Sequence, residues 1–361
     1  MNSRGRKAAE GGLSSGAAEQ HRSVAVERGA ADAPLRSRPR LSWASMAQKR
    51  RVAHGLDLVE DRLSAVAAEY PGELGDACRA TLSAGGKRVR PLLTLLCAQS
   101  GEPAQEPVLR AAAAVELLHM ATLVHDDVLD RAELRRGRPT VAHAYSPATA
   151  VSAGNYLLAR AFSELVGAGD PAAVDLLSAT AVGLSEGEVL QRAEAHDVTV
   201  SVEAYVLRCE HKTADLFAAA CALGAGLSGA GDETVGAVGK YGRLIGLAFQ
   251  VFDDILDCSG DQEATGKRPG TDVRDGTVTL PLIYALEARP ELAEILRRPG
   301  PSDADVDMVL RAVAASGALE RARTDALRYI EDARSVLAAC PDTVERGLLA
   351  QVAAQVVDRY S

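Results

Sequence analysis

Two copies of one acidic signature, each closing an apolar run patterned for a helix, constrain this chain more than any other feature. Asp126-Asp127-Val128-Leu129-Asp130 ends the run 115–125, and Asp253-Asp254-Ile255-Leu256-Asp257 ends the run 244–252. Residues four apart share a helix face, so Asp126 and Asp130 point together, as do Asp253 and Asp257. Grouping carboxylates at the end of a buried helix costs free energy through repulsion and desolvation unless a cation neutralises them. Hard oxygen ligands suit Mg²⁺, which binds through one or two carboxylates plus the phosphates of a substrate. One DDxxD alone would read equally well as a solvated acidic face. The repetition, with the same apolar lead-in, implies two acidic walls facing each other across a metal–diphosphate cluster.

Composition sets the scaffold for those walls. Hydrophobic residues make up 47% of the 361 and aromatics only 4%, so Ala and Leu must fill the core, which favours close-packed helices. A net charge of −9 argues against a nucleic-acid binder, which would carry a basic face. Cys78, Cys97, Cys209, Cys221, Cys258 and Cys340 are scattered without a CxxC pair, and read as small buried hydrophobes in a reducing cytoplasm. Ala218–Leu227 is apolar but far shorter than the ~18–20 residues that span a bilayer.

Residues 1–45 are rich in Arg, Gly, Ser and Ala and lack helical periodicity, which describes a disordered tail with no part in function. It has no apolar centre of the kind a signal peptide needs, and Glu10, Glu19, Glu27 and Asp32 interrupt any transit-peptide pattern. Met46 is a candidate start, and 46–361 reads as one catalytic domain. The periodicity predicts helices over about 52–69, 73–83, 89–100, 105–130, 147–167, 171–193, 201–227, 231–257, 278–287, 291–297, 303–315, 317–339 and 342–358. No alternating strand or hairpin signal intervenes. The expected fold is all-α, a single large helical bundle with a central apolar cavity.

Basic motifs accompany the acidic ones. Gly85-Gly86-Lys87-Arg88-Val89-Arg90-Pro91 sits at a turn before an apolar helix, where glycines let the backbone approach an anion and three cations flank it. Arg131-Ala132-Glu133-Leu134-Arg135-Arg136-Gly137-Arg138-Pro139 follows the first acidic motif and reads either as its salt-bridge partner or as the second side of a diphosphate site. His119, two turns before Asp126, and His125 fit a core role more readily than a ligand role. Lys212 and Thr213 are expected at the head of an apolar helix, whose N-terminus welcomes anions. Gln250 shares the cavity side of Asp253, Tyr241, Phe249 and Phe252 read as packing, and Gly266–Asp272 reads as a flexible basic loop, a candidate lid.

Together GGKRVRP, HMATLVHDDVLD, RRGRPT, HKTADLF and FQVFDDILD, in that order over residues 50–360, resemble the trans-isoprenyl (polyprenyl) diphosphate synthases, the head-to-tail prenyltransferases. The resemblance implies condensation of isopentenyl diphosphate with an allylic diphosphate, assisted by two or three Mg²⁺ ions. Asp126, Asp130 and Asp253 would hold the metal, with Asp127, Asp254 and Asp257 close by. Lys87, Arg90, His119 and Arg136 match the isopentenyl diphosphate positions. Arg135, Lys212, Thr213, Gln250 and Lys267 match those for the allylic diphosphate. A cytoplasmic homodimer follows from the same resemblance, with at most peripheral membrane contact for product release.

Two positions depart from the family pattern: Thr277 stands where many members have a lysine, and Asn155 where an aspartate is common. A terpene cyclase would need neither GGKRVRP nor a second DDxxD. A non-catalytic subunit of a heteromeric synthase would tend to lose its acidic motifs. Product length is expected to depend on the helix carrying the first motif. Ala121 lies about 7–8 Å below Asp126 at ~1.5 Å per residue, with Thr122 beside it and Leu118 about one turn further. Short-chain relatives place a bulky aromatic near that depth. Here Ala and Thr imply a product of roughly C30–C50, of the kind used for quinone side chains, whereas a stopper from another helix, Phe162 or Leu158, would give a geranylgeranyl (C20) product. The starter is left open among dimethylallyl, geranyl and farnesyl diphosphate.

Overall fold

Helix α4 (Glu106–Leu129) is buried on every side along Ala111–Leu118, and its sequence explains why. Four consecutive alanines followed by Val115, Leu117 and Leu118 leave no polar stripe to face water except Glu116, which is itself ion-paired. A helix apolar all round belongs at the centre. It is long and apolar enough to cross a membrane, yet 72% of its apolar window is covered by protein.

The computed structural model describes residues 46–99, 105–259, 269–341 and 344–358. The expected tail 1–45 and the loop residues 266–268, Lys267 among them, lie outside the described residues. Around α4 pack α1 (Met46–Ala68), α2 (Glu73–Ser83), α3 (Val89–Cys97), α5 (Val141–Ala144) and, most extensively, α6 (Pro147–Ala168). Next come α7 (Pro171–Ala193), α8 (Val202–Cys209), a π-helical turn (Glu210–Ala214), α9 (Asp215–Leu227) and α10 (Asp232–Ser259). The chain closes with α11 (Thr271–Asp275), α12 (Leu280–Ala288), α13 (Ala293–Leu296), α14 (Asp303–Ser316), α15 (Ala318–Ala339) and α16 (Arg346–Asp358). The fold is all-α, as expected, and the six cysteines are free and buried.

Local chemistry fixes where these helices start and stop. Ser146, Asp170, Ser201 and Ser302 accept backbone N–H groups at the starts of α6, α7, α8 and α14. Pro147 and Pro171 occupy first-turn positions where a missing N–H costs nothing. Gly169 and Gly317 end α6 and α14 with φ near +80°. The second acidic helix, α10, crosses α9 closely because Gly246 has no side chain. A Cβ there would lie 2.6 Å from Ala214 Cα.

Two expectations need correction. A short antiparallel pair does form, β1 (Leu134–Arg135) with β2 (Arg138–Pro139), Leu134 lying opposite Pro139. Its turn residues Arg136 and Gly137 have φ of 53° and 73°, the geometry usually signalled by Asn-Gly. Arg-Gly gave no such signal. Lys212 and Thr213 also do not head a helix. Ser201 takes the cap, and α8 runs through the π turn into α9 without a break, so Lys212 lies mid-helix. No helix N-terminus faces a ligand there.

Candidate active site

The π turn sets the site's geometry. Widened turns of this kind re-aim side chains and recur at functional sites. Here Glu210–Ala214 is pressed against α7, where a Cβ on Gly187 would lie 2.7 Å from Lys212 N. That approach lets Lys212 Nζ donate to Glu188 Oε2 at 2.8 Å and Gln191 Oε1 at 2.9 Å, both on α7. Glu188 also takes Arg192 Nε at 3.0 Å, and Arg192 reaches Asp130 Oδ1 at 3.4 Å. Lys212, Glu188 and Arg192 therefore form an arc that ends on the first acidic motif.

On α4 the periodicity holds. His119, Thr122, Asp126 and Asp130 form the half-open stripe, while Asp127 turns inward and accepts Arg135 Nε at 2.6 Å. Burial, with Glu188 and Asp130 nearby, pushes the Asp126 carboxyl up to about 6, against the pull of Lys212 and Arg135. Burial and Glu188 also raise Asp130. On α10, Asp254 is buried and accepts Tyr205 Oη at 2.6 Å and Gln250 Nε2 at 2.8 Å. Asp257 accepts the backbone N–H groups of Thr271 and Asp272 at 3.1 and 3.0 Å, so it holds α11 in place.

That grip brings in two acids the sequence reading did not assign. Burial and the charges of Asp254 and Asp257 hold Asp272 well above the usual carboxylate range. Asp275 is raised by burial and then by Asp130 and Asp257, one from each motif. The two acidic walls thus act on a common residue. Among the described residues no three His, Cys, Asp or Glu side chains form a ready-made cage. Crowded hard-oxygen groups without a closed cage fit Mg²⁺, which keeps waters and takes substrate phosphates into its shell. Asp126 is half-buried and Asp130 and Asp253 are exposed, so these three carboxylates could reach such an ion.

The cations divide into two groups. Arg136 donates to the Gly85 carbonyl, which joins the hairpin turn to the GGKRVRP loop. Arg90 lies over the Phe217 ring at 4.6 Å with Nε left without a hydrogen-bond partner, and burial pushes its guanidinium down to about 10. Burial, then Arg90, Arg136 and Arg135, hold His119 well below its ordinary range, so its imidazole is neutral at pH 7. Lys87 is exposed beside them. Arg88 plays another part: at φ 49° it starts α3 and pairs with Glu60 at 2.5 Å and Glu116 at 2.7 Å. The second group gathers Arg135 on Asp127, Lys212 on Glu188, and Thr213 Oγ1, which donates to Gln250 Oε1 at 2.8 Å.

Glu188, Gln191, Tyr205, Asp272 and Asp275 were missed because their elements carry no repeated pattern. Only Glu188 gave a local hint, standing four residues before Arg192. Of the residues expected to govern product length, Thr122 lies on the Asp126 stripe, whereas Ala121 and Leu118 are buried. An open, mostly apolar cavity of about 680 Å³ lies between α6 and α7, lined by Phe162, Val182, Val189, Leu190 and His211 among others. Tyr241 and Phe252 are fully buried packing residues. Thr277 is half-buried, its N–H bonded to the Asp272 carbonyl, and Asn155 is exposed on α6.

Comparison with known proteins agrees with this arrangement. The Polyprenyl synthetase family matches residues 71–313. Heptaprenyl diphosphate synthase component 2 of Geobacillus stearothermophilus is 40% identical over 306 residues, covering 84% of this chain and 95% of that protein. The crystal structure of heptaprenyl diphosphate synthase from Staphylococcus aureus matches with a TM-score of 0.82 at 29% identity, covering 86% of this chain and 99% of that one. A polyprenyl synthase from Caulobacter crescentus, solved with calcium and isoprenyl diphosphate, matches at 0.76 and 34% identity, covering 87% and 96%. On these matches and its all-α scaffold, this chain belongs to the polyprenyl synthetase family and is a prenyltransferase.

Proposed function

We propose that this protein condenses isopentenyl diphosphate with an allylic diphosphate, using Mg²⁺, to make a trans-polyprenyl diphosphate of roughly C30–C50. The observation that supports this reading most is that acids from both motifs act on Asp275 of α11, while the Lys212–Glu188–Arg192 arc ends on Asp130. Lys87, Arg90, Arg136 and neutral His119 would bind isopentenyl diphosphate. Arg135, Lys212, Thr213 and Gln250 would bind the allylic diphosphate, with Lys267 as a further contact expected from the family pattern.

Lys212 is held by Glu188 and Gln191 and can exchange them for phosphate oxygens. As the allylic C–O bond breaks, Lys212 and Arg135 stabilise charge growing on the leaving diphosphate. Asp126, Asp130 and Asp253 would hold Mg²⁺, which would supply further neutralisation of that charge when bound. The allylic cation needs an apolar space from which water is excluded, because water would quench it. The isopentenyl double bond then attacks C1, and a proton leaves to the departed diphosphate.

A long product fits the small residues Ala121 and Thr122 and the heptaprenyl relatives. A second reading, a C20 product, is favoured by one observation: Phe162 lines the cavity and could floor it. The apolar side chains Val166, Val182 and Val189, exposed on α6 and α7, fit burial against a second copy of the chain as a homodimer. A heteromeric assembly is the alternative raised by the relative described as component 2. Incubation with isopentenyl and farnesyl diphosphates tests the reaction. Condensation that stops with EDTA supports it, and equal turnover with and without metal contradicts it.

A further inference from the structure

The middle aspartate of the second motif points away from the metal side and into a line of hydrogen bonds. Tyr205 Oη donates to Asp254 Oδ2 at 2.6 Å, Gln250 Nε2 donates to Asp254 Oδ1 at 2.8 Å, and Thr213 Oγ1 donates to Gln250 Oε1 at 2.8 Å. The line joins α8, α10 and the π turn. Tyr205 is 1% exposed and Asp254 4%, so water does not compete for these groups.

The line also has a direction. An amide side chain can sit either way round, and its neighbours decide which. Both oxygens of Asp254 accept, Oδ2 from Tyr205 and Oδ1 from Gln250 Nε2, which leaves Oε1 to the Thr213 hydroxyl. By geometry alone, Asp254 Oδ1 takes one Nε2 hydrogen of Gln250, and the other remains with no further partner among the described residues. Gln250 is half-buried, one turn before Asp253. Turned the other way, the amide would set its oxygen against the Asp254 carboxylate and lose that donor.

Resting on the allylic-diphosphate reading of Gln250, we infer that Tyr205, which lies outside every motif, is a positioning residue for that diphosphate. It fixes Asp254, Asp254 fixes the Gln250 amide, and an N–H is presented where a phosphate oxygen needs a donor. The tyrosine is itself clamped. Arg208 lies 5.6 Å from the Tyr205 ring centroid, donates to the Val278 carbonyl at 2.7 Å and pairs with Glu194. Without the hydroxyl, one Asp254 oxygen loses its buried donor, and the carboxylate no longer holds one orientation.

Tyr205→Phe tests the inference in the full-length protein. The KM for the allylic diphosphate should rise about three- to tenfold, the worth of one neutral hydrogen bond, with kcat at saturation within about twofold. The KM for isopentenyl diphosphate and the Mg²⁺ half-saturation should not move. Calorimetric titration of a non-ionising farnesyl thiolodiphosphate in Mg²⁺ should show the same weakening without turnover. Asp254→Asn should weaken this ligand at least as much, because an amide there offers Gln250 a donor and turns it round. Adding Tyr205→Phe to that variant should then cost little more, since both act through one line. Equal losses for both substrates, or an unchanged thiolodiphosphate affinity in Tyr205→Phe, would overturn the inference alone. A wild-type protein that binds neither diphosphate would overturn the functional reading along with it.

Discussion

Asp126 loses a proton near pH 6 because burial and its acidic neighbours oppose its charge, and the consequences differ for free and metal-loaded protein. A carboxyl whose folded pKa lies above its ordinary 3.8 binds a proton more tightly folded than unfolded. Its contribution therefore destabilises the metal-free fold above pH 6, and that penalty fades as pH falls toward 3.8. In EDTA, Asp126→Asn should melt higher than wild type at pH 7.5, and the gap should narrow by pH 5. Thermal melts across that range check this, and an equal or lower melting temperature for the variant at pH 7.5 would contradict it. In the loaded enzyme the same carboxyl must be ionised to hold a cation. Asp126→Ala, Asp130→Ala or Asp253→Ala should each lower kcat by several orders of magnitude while folding survives, as turnover assays and circular dichroism would show. That Asp126 and Asp130 share one face of an apolar helix was legible from their spacing. Asp272 and Tyr205 were not, because they reach the site through contacts between segments tens of residues apart.

At the scale of elements, the register between α7 and the π turn places Lys212. Gly187→Ala would set a Cβ 2.7 Å from Lys212 N and 3.0 Å from His211 Cβ, and backbone cannot step aside as a flexible side chain can. That substitution should destabilise by about 1–3 kcal/mol and raise the allylic KM as Lys212 shifts. Gly236→Ala on α10, where a Cβ meets nothing within 4 Å, should be neutral or slightly stabilising. Denaturant melts and initial rates for the two variants make the comparison. The expected spans 73–83 and 171–193 agree with α2 and α7 at both ends, although only α7 starts on a side-chain cap, Asp170. The π turn was invisible because Glu210–Ala214 continues the helical pattern on both sides, and one extra residue in a turn leaves no compositional trace.

For the whole molecule, the fold class followed from apolar periodicity and scarce aromatics, and α4 is central because nothing along Ala111–Leu118 except the ion-paired Glu116 is polar. Two proposals belong to this scale. Removing residues 1–45 should leave turnover and melting temperature nearly unchanged, and aggregation of the truncated protein would give the tail a structural role. Light scattering at micromolar concentration should report a dimer, and Val182→Asp with Val189→Asp should shift it toward monomer. The most direct measurement is product length. Purified protein with Mg²⁺, labelled isopentenyl diphosphate and farnesyl diphosphate should give a polyprenyl diphosphate of roughly C30–C50, and Ala121→Phe should shorten it with little loss in the first condensation. No incorporation of label would contradict the account at its centre, and a wild-type product that stops at C20 would contradict its reading of α4.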